Sequence, residues 1–356
     1  MPGRLRVLRG ARTSYAVSST RASPAFSIAG SGLHVPDRII TNDELAAELR
    51  IPGIDAPWIE QRTGIRERRW VRAGESTGDL AARAAKAALE DARCSATDID
   101  VVIVATSTPD WPQPHTAARV HGMLGMRPDA GAFDVNAVCS GWIDALVTGG
   151  ALLATRPEWT RLLVVGADCY SRITNPEDHR TRVLFGDGAG AVVIDRSSNA
   201  ERGIHGVYTH TNFADHEALI VRGGGARLPL TPELLASGAH WFSMDGPAVR
   251  QFGSSELARA MSSLAAKRDD ERPDAPWDAV IPHQSNRRML EAACATAGID
   301  DHLLITTIEQ FGNTAAASIP ITLAWARTAG HVATGDWVCL VGYGGGLSVA
   351  GVALRL

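Results

Sequence analysis

The chain of 356 residues repeats itself once at a spacing of about 175 residues, and this repeat restricts the fold more than any single motif does. In the first half, residues 98–107 (DIDVVIVATS) read as a buried strand. In the second half, residues 277–285 (WDAVIPHQS) carry the same pattern, with Ile103 matched to Ile281. Next come FDVNAVCSGWIDALVTGGALL and TTIEQFGNTAAASIPITLAWA, each a strand, a turn and a small-residue helix, which sets Cys139 opposite Asn313. Residues 161–168 (RLLVVGAD) then match 337–344 (WVCLVGYG) through Gly166 and Gly342. Each half closes on a glycine-rich turn and an apolar strand, GDGAGAVVI and GGGLSVAGVAL. The pattern predicts two similar α/β units with interleaved strands and helices, related by pseudo-twofold symmetry. That symmetry brings a buried helix starting at Cys139 toward the helix start at Asn313, so residues far apart in sequence share one site.

Folded sequence is expected from Phe26. Residues 1–25 are rich in Arg and Ser, contain no acidic residue and lack the apolar stretch of a secretory signal, which predicts a flexible extension. The two halves are then 26–200 and 201–356, with one soft, charged, proline-punctuated connection at 265–276. With 45% hydrophobic and 21% charged residues, a soluble globular protein is expected. The net charge of −4 gives no bulk attraction to nucleic acid. No apolar run approaches the roughly 20 residues of a membrane helix. Cys94, Cys139, Cys169, Cys294 and Cys339 lie far apart without CxxC or zinc-type spacing, so neither a disulfide framework nor a metal site is expected, and the cytoplasm is the expected compartment.

Three residues carry the chemistry. Cys139, in Val138-Cys139-Ser140-Gly141, sits between a strand and a helix, where unpaired N–H groups and partial positive charge favour the thiolate that attacks acyl carbonyls. A lone cysteine is also an ordinary core residue. Cys294 and Cys339, in apolar helix and strand patterns, read that way. His283, in Pro282-His283-Gln284-Ser285-Asn286, follows a strand, at the end where open α/β sheets place functional groups. Asn313, in Phe311-Gly312-Asn313-Thr314, reads either as a helix N-cap or as the partner of Cys139. The segment Gly186-Asp187-Gly188-Ala189-Gly190 runs into the strand AVVI rather than a helix, which excludes a dinucleotide fingerprint. Gly344-Gly345-Gly346 precedes a strand too, as a plain tight turn or as a source of an oxyanion-hole N–H.

Together these segments resemble the β-ketoacyl-acyl-carrier-protein synthase III family of the thiolase superfamily. The resemblance runs from about Phe26 to Leu356 on RTGIRER (62–68), AFDVNAVCSG (132–141), LFGDGAGAVVI (184–194), PHQSN (282–286), FGNTAAAS (311–318) and GYGGG (342–346). It implies a five-layered αβαβα fold, a homodimer and no permanently bound cofactor, with coenzyme A thioesters as substrates. Cys139 would take an acyl group from acyl-coenzyme A. His283 and Asn313 would stabilise the enolate from a malonyl thioester, carried by acyl carrier protein or coenzyme A. The backbone amides of Cys139 and Gly345 would form the oxyanion hole. Trp58 would stack on adenine, Arg62 would lie near the phosphates, Asn286 near pantetheine, and Arg288 would meet the carrier protein.

The chain departs from the family pattern in three places. His179, with Arg180 and Arg182 nearby, stands where an Arg is common, leaving the second adenine contact open. Gln113 occupies the position of a dimer-crossing aromatic residue, and Pro247 that of a polar cofactor contact. These changes point to a primer different from that of the housekeeping enzyme, and to a role in starting a fatty acid, polyketide or other specialised chain. Two alternatives stay open: plain acyl transfer to an oxygen or nitrogen nucleophile, and a modulatory subunit without chemistry, which Cys139 argues against.

Overall fold

The computed structural model describes residues 25–267 and 277–356. The expected extension and most of the 265–276 connection lie outside the described residues.

Arg161–Cys169 shows how the layers arise. From Leu162 to its end it is buried without polar alternation, so both of its faces need cover. Its side chains divide by parity. Leu162 and Val164 join a cluster with Trp142 and Leu146, while Leu163, Val165 and Ala167 join another with Leu80, Ala84 and Ala88. The strand therefore lies in a sheet between two helical layers. The second half does the same: Val338 and Leu340 face the first of these clusters, and Cys339 and Val341 face a third with Leu257, Met261 and Leu290.

Five layers result. Helices Thr77–Asp91 and Thr116–Leu124 cover one sheet, and Gly246–Ala265 and Arg287–Thr296 cover the other. Helices Gly141–Thr155 and Ser318–Thr328 lie between the sheets. The first sheet has the order Phe26–His34, Asp187–Arg196, Arg161–Cys169, Val101–Ala105, Gly131–Val135. The second has Gly203–Thr211, Ser348–Arg355, Trp337–Gly344, Ala279–Pro282, with a Val280–Leu304 bridge where a fifth strand would lie. The strand order is the same in both. The first sheet's last long strand ends at Arg196 and the second sheet opens at Gly203, on either side of the expected division.

The centre is tightly packed. A Cβ on Gly190 would lie 2.4 Å from Ile321 N, so only glycine lets the second-half helix lie on the first sheet. The segment Val138–Thr155 is, contrary to expectation, apolar and long enough over 18 residues to match a membrane span by composition. Its helix lies between the two sheets, and an all-round apolar surface is what that position demands.

The repeat's register also differs from the expected one. Val138 and Ala315 both have left-handed backbones, φ 51° and 49°. Each opens a 3₁₀ turn, Val138–Ser140 or Ala315–Ala317, and each turn leads into a central helix, at Gly141 or Ser318. The structural offset is 177 residues, from Val138 to Ala315 and from Gly141 to Ser318. Cys139 therefore corresponds to Ala316, and Asn313 to Asn136. Small residues fill both turns, so residue type alone does not distinguish a shift of three positions. Neither Cys139 nor Asn313 starts or caps an α-helix.

Candidate active site

Two strained turns and one glycine strand bring the site together. An L-residue in the left-handed region costs roughly 1–3 kcal/mol, most for a β-branched one, and persists only where its surroundings enforce it. At Val138 this geometry turns Cys139 into the space between the halves, beside Ala315, Tyr170, Phe185 and Phe242. A Cβ on Gly344 would lie 2.8 Å from Cys139 N, and one on Gly342 would lie 3.5 Å from both His283 Cβ and Ser140 Cα. The strand Trp337–Gly344 thus threads between the cysteine turn and His283, and delivers Gly345 beside Val138.

Cys139 is 7% exposed. Burial first, then the negative charge of Asp168, push its thiol well above the ordinary range, and a hydrogen bond with Tyr170 opposes them more weakly. This direction runs against the one expected from the turn's unpaired N–H groups: desolvation favours the thiol over the thiolate.

His283 follows the strand Ala279–Pro282, and its backbone N–H donates to Val341 O at 2.8 Å. Burial lowers its pKa to about 3, a hydrogen bond with the Ala315 backbone working the other way, so the ring is neutral. Its Nδ1 lies 2.7 Å from Ser318 Oγ, which also accepts the Gln284 N–H at 3.3 Å. The Ser318 hydroxyl can donate to Nδ1, and that tautomer keeps the ring proton on Nε2.

Asn313 is 6% exposed. Its Oδ1 accepts the Ala315 N–H at 2.9 Å, and its backbone pairs with the Leu184–Gly186 turn through Asn313 N to Leu184 O, 2.9 Å, and Gly186 N to Asn313 O, 3.0 Å. With Oδ1 engaged, the amide presents its NH₂ group. The site therefore offers one thiol nucleophile and two neutral N–H donors, from His283 and Asn313, a set suited to oxygen that gains charge during reaction.

The outer residues gather around Trp58 and the helix that carries it. Asp55 caps the helix Ala56–Thr63 by accepting Trp58 N–H at 2.8 Å. The Arg62 guanidinium lies 4.9 Å from the Trp58 ring centre, and the His179 ring lies 6.2 Å away at 64°. His179 is therefore the residue facing Trp58. Arg182 is turned inward, 3.9 Å from the Trp70 ring and paired with Glu48 at 3.0 Å, while Arg180 pairs with Asp178. Asn286 caps the helix Arg287–Thr296, and its Nδ2 donates to Arg62 O at 2.8 Å, so its amide is engaged within the protein. Arg288 is exposed, whereas its neighbour Arg287 is held by Glu291 and Glu309. Pro247 occupies the first turn of the helix capped by Asp245, a position that suits proline. Gln113 is exposed.

Sequence reasoning missed the roles of Ser318, Asp168 and the Tyr170–Phe185–Phe242 group. Ser318 was visible as the last letter of FGNTAAAS. Phe185 stood in LFGDGAGAVVI, but nothing joined it to Tyr170 and Phe242, which come from separate segments.

Known proteins share these features. Residues 133–212 match the family model described as 3-oxoacyl-[acyl-carrier-protein (ACP)] synthase III, and residues 274–356 match its C-terminal counterpart. The chain is 42% identical over 326 residues to acetoacetyl CoA synthase NphT7 from Streptomyces sp. (strain CL190), covering 91% of this chain and 97% of that one. The β-ketoacyl-[acyl-carrier-protein] synthase III of Symbiobacterium thermophilum is 39% identical, with 92% and 97% covered.

The chain belongs to the β-ketoacyl-acyl-carrier-protein synthase III family.

Solved structures agree. Synthase III from Aquifex aeolicus VF5 superposes with a TM-score of 0.83 at 32% identity, over 93% of this chain and all of that one. The priming β-ketosynthase of the R1128 polyketide pathway gives 0.83 at 26% identity, over 95% and 99%. The fold is thus that of the synthase III enzymes, and the chain is a condensing enzyme of that type.

Proposed function

We propose that this synthase III loads a short acyl group, acetyl above all, onto Cys139 and condenses it with a malonyl thioester. The observation carrying the primer size is the packing of three aromatic rings around the nucleophile. Tyr170 stacks on Phe185 at 4.5 Å, and Phe242 stands edge-on to both, at 5.4 and 5.2 Å. They share a cluster with Cys139 and Ala315, so bulky side chains crowd the surroundings of the sulfur. The similarity to an acetoacetyl CoA synthase supports the same size.

In the first half-reaction Cys139 S–H attacks acyl-coenzyme A. The sulfur–acyl bond forms on Cys139, the bond to coenzyme A breaks, and the proton leaves on the coenzyme A thiol. The Cys139 and Gly345 amides would hold the oxyanion. In the second, the malonyl thioester loses carbon dioxide. His283 Nε2–H and the Asn313 NH₂ group would donate to its enolate oxygen. The enolate carbon displaces Cys139 sulfur, which regains a proton from solvent. Both donors being neutral favours this reading over proton abstraction by a charged base. Trp58, Arg62 and His179 would receive the nucleotide end of coenzyme A, Asn286 would lie beside pantetheine, and Arg288 would meet a carrier protein.

The working unit would be a homodimer. Gly131–Val135 ends the first sheet with every residue half-buried, and an open edge of this kind invites pairing with a second copy. Exposed Trp111 and Met123 lie in the segments beside it. Five free cysteines suit the reducing cytoplasm.

The test is an acyl-coenzyme A panel read as mass added to Cys139, followed by malonyl-carrier protein or malonyl-coenzyme A and measurement of carbon dioxide. Acetyl loading with release of carbon dioxide is expected. Acyl transfer without decarboxylation would overturn the condensing reading, and equal loading of long chains would overturn the short primer.

A further inference from the structure

The two halves treat one equivalent position in opposite ways. The shared strand register sets Asp168, near the end of Arg161–Cys169, against Gly344, at the end of Trp337–Gly344. The residue each faces is also equivalent, Ala316 in one case and Cys139 in the other. At Gly344 there is no side chain, and the Cα lies against Cys139 N. At Asp168 there is a fully buried carboxylate whose Oδ2 accepts the Ala316 N–H at 2.9 Å. Its Oδ1 accepts from Thr106 Oγ1, Ser107 N and Oγ, and Thr108 N and Oγ1, at 2.8 to 3.2 Å. The Ala316 amide follows Ala315, whose own N–H is held by Asn313 Oδ1.

We infer that Asp168, a residue of the first half, is a positioning residue for the second: its carboxylate stands at the Ala316 N–H where an acyl oxyanion would stand at the Cys139 N–H, and so fixes the turn that aims the Asn313 amide. The inference rests on the reading that Asn313 serves the malonyl half-reaction. It also accounts for a buried acid with no basic partner among its hydrogen bonds. One of the two equivalent turns leaves its amide to the substrate, and the other has its amide filled from within by Asp168.

Asp168→Asn separates this role from general support. The remaining oxygen is drawn to the five donors around Oδ1, which turns the new NH₂ group against Ala316 N–H, donor facing donor. The first-half contacts then survive and the hold on the turn is lost. We expect Cys139 acylation by acetyl-coenzyme A at the wild-type rate or faster. Its pH profile should move to lower pH, because a negative charge near the sulfur has gone. Carbon dioxide release from the malonyl thioester should fall by about 10²-fold, the scale of a misplaced catalytic group. In the double variant with Asn313→Ala, the two losses should not multiply.

Equal loss of acylation and condensation, an unchanged ratio, or multiplying losses would each overturn the inference. If Asp168→Asn does not fold, Thr108→Val removes an anchor of the same carboxylate and is read by the same ratio, with an unchanged ratio again overturning it. Wild-type enzyme supplies the control: acetylated wild type that releases no carbon dioxide overturns the condensing reading itself, whatever the variants do.

Discussion

Val138 and Ala315 adopt the same left-handed backbone, φ 51° and 49°, one residue before Cys139 and two residues after Asn313. One strained turn, used twice about a pseudo-twofold axis, therefore serves different ends. In the first half it presents a nucleophile. In the second it holds an amide whose oxygen is bound by the Ala315 N–H, leaving the NH₂ group to face the site. The division of labour between the two half-reactions follows from this difference.

Nucleophile and donors should separate on substitution. Cys139→Ala should leave no mass adduct after acetyl-coenzyme A. His283→Ala and Asn313→Ala should keep the adduct and slow carbon dioxide release by about 10²–10³-fold each, the usual cost of one oxyanion donor. Intact-protein mass and a carbon dioxide assay on the same samples read both effects.

Gly344→Ala should be slow in the first half-reaction. Its Cβ would come within 2.8 Å of Cys139 N, closer than real Cβ contacts, and the cysteine turn must move. Acylation should fall by about 10²-fold, since an error near 1 Å is enough. Stopped-flow release of the coenzyme A thiol measures it.

Phe242→Ala should widen the acyl space. Removing a ring packed on Tyr170 and Phe185 should cost about 3–5 kcal/mol of stability. It should also admit acyl-coenzyme A substrates longer than acetyl, seen as larger mass adducts on Cys139. A variant as destabilised as this but still limited to acetyl would remove the aromatic wall as the determinant of size.

Acid should destabilise the enzyme through His283. Its folded pKa of about 3 lies below the ordinary value of 6.5, so between those values the unfolded chain binds a proton that the native chain does not. Stability falls as pH drops through that window, by up to about 1.4 kcal/mol per unit. Asp144 and Asp187, raised to about 6 by burial, act in the opposite sense between roughly pH 4 and 6. The comparison that isolates His283 is therefore wild type against His283→Ala in urea titrations at pH 7 and pH 5. The variant should lose less stability on acidification.

Much of this protein was legible in its sequence. Apolar runs such as 101–105 and 338–341, and small-residue helices placed after them, have local causes: side-chain period and burial on two faces. The order of those segments, repeated once, determined the architecture, and the types of Cys139, His283 and Asn313 determined the class of chemistry. Tertiary structure alone decided which residues correspond across the axis, because the strained turn is imposed by packing and written in no residue type. It set the direction in which the Cys139 thiol shifts, upward, since desolvation depends on what surrounds the sulfur. It brought Tyr170, Phe185 and Phe242 together from three segments, and set Asp168 on Ala316 where Gly344 leaves Cys139 open. Contacts between distant segments carry no local signature, so the geometry of the site belongs to the fold.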